Sequence, residues 1–200
     1  MSKKKGWKST NLGKVLYLKN GFAFKSTKYQ TEGIPIIRIS DIKNGIVEIN
    51  SSKKIQESIE YEKYQVGTSD ILIAMSGATT GKFGIYKSHK KAYQNQRVGN
   101  LKLFSEEKCI KRFIFFLLHS IRNKIEKKAY GGAQPNISAK NIHSIVFEMP
   151  PLPEQRAIVA KIEELFSALD SGVAELKAAK EKLEIYRQAV LKKARSEEHT

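Results

Sequence analysis

Cysteine is almost absent from this chain. Its 200 residues include one, Cys109, which excludes an internal disulfide and a cysteine-built zinc site and makes the cytoplasm the default expectation. Long apolar runs are missing too: nothing approaches ~18 consecutive apolar residues, so no transmembrane helix and no membrane partner are expected. Met1-Ser2-Lys3-Lys4-Lys5 is not followed by an apolar segment and does not read as a secretory signal. Chemical signatures are equally scarce. There is no His-Glu-x-x-His, no carboxylate cluster for a metal, and no ligand spacing among His89, His119, His143 and His199. A methyltransferase Asn-Pro-Pro-aromatic motif, a glycine-rich dinucleotide fingerprint and a convincing nuclease carboxylate set are all lacking. These absences suit a protein that binds rather than catalyses, with no metal and no cofactor of its own.

Acidic residues are short on one part of the chain only. Residues 1–150 hold 27 lysines and arginines against 11 acidic residues, whereas residues 151–200 hold 9 of each. The whole net charge of +16 thus sits on the first three quarters, which points to a polyanion as partner of that part. Lysine supplies 23 of those 27 cations, so a lysine-rich composition is the competing explanation.

Three zones follow along the chain. Residues 7–105 alternate short β-rich runs with turns. Ile34–Ile39 reads as a strand, Asn44-Gly45 as a turn before Ile46–Ile49, and Asp70–Met75 as a buried strand; Phe83–Tyr86 and Asn100–Phe104 continue the style. Residues 106–150 open with one helix whose apolar face runs from Ile110 through Phe113, Ile114, Leu117, Leu118 and Ile121 to Ile125. Ser138 is placed to cap a short helix, and Ile145–Met149 reads as a last strand. Pro150-Pro151-Leu152-Pro153 then marks a boundary, with Pro153 suited to a first helical turn. Two domains are expected, 1–150 and 151–200, the fold class being α+β: a mixed β-rich domain followed by one long helix.

That helix carries a seven-residue repeat. Ile162, Leu169, Leu176, Leu183 and Val190 share one position, and Ile158, Leu165, Gly172, Ala179 and Tyr186 the other. At ~1.5 Å per residue, roughly 40 residues make a rod of about 60 Å. Such a seam requires a cover, and a second copy of the chain is the simplest one.

Polar motifs are weighed against structural alternatives. Ser76-Gly77-Ala78-Thr79-Thr80-Gly81-Lys82-Phe83 follows a strand and resembles a phosphate loop, yet positions 76 and 83 break the pattern and a strand-like run follows. Nucleotide hydrolysis is therefore rejected, while small residues, free backbone N–H groups, two hydroxyls and Lys82 remain suited to a DNA phosphate. Tyr93-Gln94-Asn95-Gln96-Arg97 offers the side chains that pair with adenine and guanine edges, or else an edge strand or a buried amide network. The run from Gly131 to Ser138 can cradle a phosphate or serve as a connector packed against the near end of the rod, the latter being favoured. Phe24-Lys25-Ser26 with Tyr29, and Arg38 with Ser40 and Asp41, are weaker mixtures of basic, hydroxyl and aromatic groups.

The order of these features resembles a known family. Gly21-Phe22-Ala23-Phe24-Lys25-Ser26 with Tyr29 is followed by Gly33-Ile34-Pro35-Ile36-Ile37-Arg38-Ile39-Ser40-Asp41-Ile42, then by Asp70–Gly77, Asn95-Gln96-Arg97 and Gln134-Pro135-Asn136-Ile137-Ser138. Pro150-Pro151-Leu152-Pro153-Glu154-Gln155-Arg156 running into the long helix is the most telling piece. Across residues 7–194 this resembles the DNA-specificity (S) subunit of type I restriction–modification systems. The resemblance implies a target recognition domain reading one half of a split site in double-stranded DNA, and a spacer helix packed antiparallel on a second such helix. It also implies docking onto a methyltransferase (modification) subunit that carries S-adenosylmethionine, and through it onto an ATP-driven restriction/translocase subunit.

Family members typically have two recognition domains and two spacer helices, whereas this sequence has one of each and no internal repeat. A half-length form and an antiparallel homodimer reading an inverted repeat are therefore expected. The expected DNA contacts are Lys25, Ser26, Tyr29, Arg38, Ser76, Thr79, Thr80, Lys82, Gln94, Asn95, Gln96 and Arg97; the expected dimer contacts are Ile158, Ile162, Leu165, Leu169, Leu176, Leu183, Tyr186 and Val190. The competing functions are a stand-alone DNA-binding regulator and, less well supported, a DNA-modifying enzyme.

Overall fold

The computed structural model describes residues 6–49, 53–107, 109–130 and 135–197, so His199 and Gly131–Gln134 of the connector lie outside the described residues. The chain divides into two compact units, residues 1–155 and 156–200. In the first, the strands in chain order are β1 (Lys8–Asn11), β2 (Leu16–Asn20), β3 (Ile34–Ile37), β4 (Ile42–Lys43), β5 (Gly45–Val47), β6 (Lys54–Ile55), β7 (Ile71–Ala74), β8 (Phe83–Tyr86), β9 (Tyr93–Gln94), β10 (Val98–Leu103) and β11 (Val146–Met149). The helices are α1 (Lys111–Ser120), α2 (Arg122–Ala129), α3 (Ala139–His143) and α4 (Leu152–Glu197).

A six-stranded sheet in the order β2-β10-β7-β8-β5-β4 forms the centre, beside a three-stranded sheet β6-β3-β9 and the pair β1-β11. β7 and β8 are buried along their whole length, which is why Ile71-Leu72-Ile73-Ala74 is apolar without alternation. Leu72, Ala74, Tyr86 and Val98 pack with Ile37, Ile42 and Val47 into one core, and Phe24, Tyr61 and Tyr93 form a second with Ile36 and Ile55. The α+β class read from the sequence is the observed one.

Two boundaries differ from the periodicity. The strand at 34 stops at Ile37, because Ile39–Asp41 turn into a 3-10 helix in which the Asp41 carboxylate accepts the Arg38 N–H at 2.8 Å. The expected single helix over 110–125 is two helices. Ile121 leaves helical geometry at φ −102°, ψ 13°, after Ser120 has turned its hydroxyl onto Leu117 O at 2.8 Å. The apolar stripe is unaffected: Phe113, Ile114, Leu118, Ile121 and Ile125 are all buried across the break. Ser138 caps α3 as expected, accepting the Asn141 N–H at 3.2 Å.

One polar hub lies inside the sheet. Asp70 accepts Lys102 Nζ at 2.6 and 2.8 Å, Asn100 Nδ2 at 2.7 Å and the Gly67 N–H at 2.9 Å. Lys19, opposite Asn100 in the ladder, is held below the ordinary lysine range by burial first and by the Lys102 charge second.

The first turn of α4 is fastened within this unit. Gln155 is fully buried; its Oε1 accepts the Ile110 N–H at 3.1 Å and its Nε2 donates to Pro150 O at 3.0 Å. Trp7 Nε1 donates to Glu154 at 2.8 Å, and β1 pairs antiparallel with β11, Lys8 opposite Met149. The Pro-Pro-Leu-Pro-Glu-Gln segment is thus a hydrogen-bonded root, buried at Pro150 and Gln155, as well as a helix start.

Burial pushes the Cys109 thiol up to about 12. Iodoacetamide at pH 8 is therefore expected to leave Cys109 unmodified in the native chain and to alkylate it fully in denaturant, read by intact mass. Rapid native labelling would contradict the buried placement.

The second unit is the remainder of α4, from Arg156 onward. The full helix has 46 residues, about 69 Å at ~1.5 Å per residue. Leu165, Leu169, Leu176, Leu183, Tyr186 and Val190 are 47–73% exposed, while Ile158 and Ile162 are half-buried. Phe166, Val173, Ile185 and Leu191 are exposed off the seam, so the apolar face is wider than the two repeat positions. Among the described residues no helix is long and apolar enough to cross a membrane.

Candidate nucleic-acid interface

Five segments meet at one end of the central sheet. β7 ends there at Ala74 and β8 begins near it, Phe83 lying opposite Ile73. β10 starts at Val98 opposite Ala74, and β2 ends at Asn20 one residue short of pairing past Gly99. The connections at this end are residues 75–82, 95–97 and 21–25, joined by 38–40 after β3 and by 135–137. Backbone bonds tie them together. Met75 N–H donates to Arg97 O at 2.8 Å and Ile137 N–H to Met75 O at 2.9 Å. Phe22 N–H donates to Gln94 O and Gln96 N–H to Phe22 O, both at 2.9 Å, and Asn95 N–H reaches Ile37 O at 3.1 Å.

Gln96 and Arg97 form the exposed tip. The tip is an Asx turn in which the Asn95 side chain accepts the Arg97 N–H at 3.2 Å. Gln94 clamps its base, Nε2 donating to Lys19 O at 2.8 Å and to Val98 O at 2.6 Å. Gln94 and Asn95 therefore leave the set of expected contacts: at 0% and 8% exposure they are the buried amide alternative, and the base-edge alternative keeps only Gln96 and Arg97.

The 76–82 turn is a second correction. Its N–H groups were expected to be free for a phosphate. Instead Gly77 donates to Pro135 O, Thr80 to Gly77 O, Gly81 to Ala74 O and Lys82 to Thr79 O. Thr80 is 2% exposed, its hydroxyl spent on Gly77 O at 2.5 Å and Pro135 O at 3.1 Å, so it braces the turn instead of presenting a free hydroxyl. Thr79 is half-buried, donating to Ile39 O at 3.4 Å; Ser76 is half-buried and Lys82 exposed. Residues 135–137, expected against the rod, pack on Met75–Gly77 and on Ala129, whose carbonyl accepts the Asn136 N–H at 3.0 Å.

Lys25, Ser26, Arg38 and Ser40 are exposed on the neighbouring segments. Tyr29 is half-buried, its hydroxyl donating to Phe24 O at 3.3 Å, so it supports the segment more than it presents itself. Lysines lie over the adjoining aromatic rings, Lys28 over Tyr61 and Lys63 over Tyr64. Across residues 21–26, 38–41, 76–82, 94–97 and 135–138 the cations are Lys25, Arg38, Lys82 and Arg97, and the single acid, Asp41, is buried. Among the described residues no cluster of three or more His, Cys, Asp or Glu side chains suits a metal ion. The arrangement is a positively charged, loop-built surface with two amide and guanidinium donors at its tip, able to contact phosphates and base edges.

Sequence reasoning missed Gly21 and Gln155. A Cβ at Gly21 would lie 2.1 Å from Asn95 O, so only glycine lets the 21–25 segment cross the tip. Its signal was its place at the head of the Gly21–Ser26 run, which gives no reason for a glycine there. Gln155 was visible as part of the Pro150–Arg156 run, which carries the resemblance but says nothing of its buried hydrogen bonds.

Residues 4–182 match the model of the type I restriction modification DNA specificity domain. The EcoBI specificity subunit of Escherichia coli is 30% identical over 187 residues, covering 92% of this chain and 38% of that subunit. The MjaVIII specificity subunit of Methanocaldococcus jannaschii is 26% identical over 172 residues, covering 82% and 40%. The crystal structure of the HsdS subunit from Thermoanaerobacter tengcongensis superposes with a TM-score of 0.66 at 18% identity, over 86% of this chain and 40% of that one. The chain thus spans about two fifths of the length of the relatives it matches. It belongs to the type I restriction–modification DNA specificity family.

Proposed function

We propose that this chain is the non-catalytic DNA-reading component of a type I restriction–modification complex, taking one half-site per chain. The observation that carries the reading is the convergence of Lys25, Arg38, Lys82 and Arg97 with Gln96 at one sheet end, where no exposed acid opposes a polyanion. Lysines supply salt-dependent affinity through phosphates, and the Gln96–Arg97 tip supplies base preference. Two chains pair antiparallel through the exposed seam of α4, so that a two-fold pair of readers addresses an inverted repeat with an unread gap. Methylation and cleavage belong to partner subunits, a methyltransferase holding S-adenosylmethionine and an ATP-driven translocase, and the complex works in the cytoplasm.

The test is selection of bound duplexes from a randomised library by the full chain. An enriched inverted repeat with a fixed gap is expected. Arg97→Ala should lower affinity for the selected site by about 1–3 kcal/mol while leaving random duplexes nearly unchanged. A library from which no sequence is enriched, or equal losses on selected and random DNA, defeats base reading by this tip.

A further inference from the structure

Helix α2 of the first unit carries a charge that the interface above does not use. α2 bears Arg122, Lys124, Lys127 and Lys128 against one acid, Glu126, and that acid is taken by Arg122 at 2.7 Å. Lys124 donates to Val146 O at 3.0 Å. Lys127, Lys128 and, on α3, Lys140 are exposed and have no ion pair among the described residues. Lys124, Lys127 and Lys128 line a groove of about 340 Å³ with Ser144, Ile145 and Val146.

The helix that carries this charge packs directly against the loop cluster. The buried face of α2 packs beneath the 76–82 turn: a Cβ at Gly81 would lie 3.4 Å from Ile125 Cγ2 and 3.8 Å from Ala129 Cβ. Ala129 O also accepts the Asn136 N–H. The last turn of α2, with Lys127 and Lys128, therefore adjoins the turn that presents Lys82. Unneutralised lysines are flexible point charges that suit phosphate oxygens and carry no sequence information. A protein partner would need apolar anchors, and the groove exposes one, Val146.

We infer that Lys127 and Lys128 form a track for the DNA sugar–phosphate backbone outside the bases addressed by the tip. The inference rests on the DNA reading proposed above and adds a flanking contact to it. The track lengthens the footprint and sets salt dependence; it leaves sequence preference to Gln96 and Arg97.

The experiment measures the salt dependence of binding by the full chain to a random-sequence duplex and to a selected one. Removing two phosphate contacts lowers the slope of log K against log salt by about 2. K127Q/K128Q is expected to show that loss on both duplexes, with their affinity ratio unchanged. K87Q/K90Q removes two exposed lysines at the far end of the sheet, after Tyr86, and is expected to keep the wild-type slope. A wild-type slope for K127Q/K128Q overturns the track while the DNA reading stands. An equal loss in K87Q/K90Q overturns it as well, because the effect is then one of net charge alone. A wild-type chain that binds neither duplex defeats the DNA reading and the track together.

Discussion

A chain carrying Leu169→Asp and Leu176→Asp should stay monomeric at concentrations where the proposed wild-type dimer forms. Both leucines sit on one repeat position of α4 and are 60% and 73% exposed, so nothing among the described residues covers them. Burying a leucine is worth about 1.5–3 kcal/mol, and an uncompensated carboxylate in the same place costs more. The antiparallel pairing proposed above would make the effect larger. Residue 176 lies near the midpoint of 156–197, so the two substituted carboxylates of a symmetric pair come close to each other. The dimer dissociation constant is expected to rise at least about a thousandfold, equivalent to about 4 kcal/mol. Sedimentation equilibrium measures it directly. The helical signal in circular dichroism should fall as well, because a long helix with a wet apolar stripe frays without its partner. A wild type that sediments as a monomer, or a variant that still dimerises, removes the symmetric pair and with it the inverted-repeat site.

Periodicity and turn chemistry carried much of the fold because they report local physics. The unbroken apolar run at 70–75 marked the central strand, the proline cluster at 150–153 marked the start of α4, and Ser138 marked a cap. What the sequence did not disclose depends on distant partners. Nothing local tells Gln94 from Gln96. The first faces Lys19 O, 75 residues away in sequence, and is buried; the second is at a turn tip and is exposed. Thr80 is likewise claimed by Pro135 O across the fold, while Thr79 beside it keeps part of its surface. The helix break at Ile121 left the apolar spacing intact, so a pattern of spacing had no means of registering it. The candidate interface was therefore legible as a set of segments, and its division into supporting and exposed side chains was not.

That division gives Gly21→Ala an effect out of proportion to one methyl group. The added Cβ would lie 2.1 Å from Asn95 O and 2.5 Å from both Asn95 C and Gln94 O. These are backbone atoms, so no side chain can swing aside, and the 21–25 segment must separate from the 94–97 turn. Separation breaks the Phe22 N–H to Gln94 O and Gln96 N–H to Phe22 O bonds, each 2.9 Å long in the native chain. Overpacking of this kind costs about 1–3 kcal/mol and each of the two lost backbone bonds about 1 kcal/mol, for a total of about 3–5 kcal/mol. A domain of this size should lose on the order of 10 °C in Tm, read by calorimetry or by a shift of the denaturant midpoint. The same displacement carries Gln96 and Arg97 off their native position, while Lys25, Arg38 and Lys82 keep their charge. Base preference should therefore collapse toward the random-duplex affinity, with the salt slope nearly intact. A Gly21→Ala chain within about 0.5 kcal/mol of wild-type stability would mean that the two segments yield more easily than packed backbone does. Retention of the selected motif at full strength would mean that the tip does not depend on this crossing, and that sequence is read elsewhere on the surface.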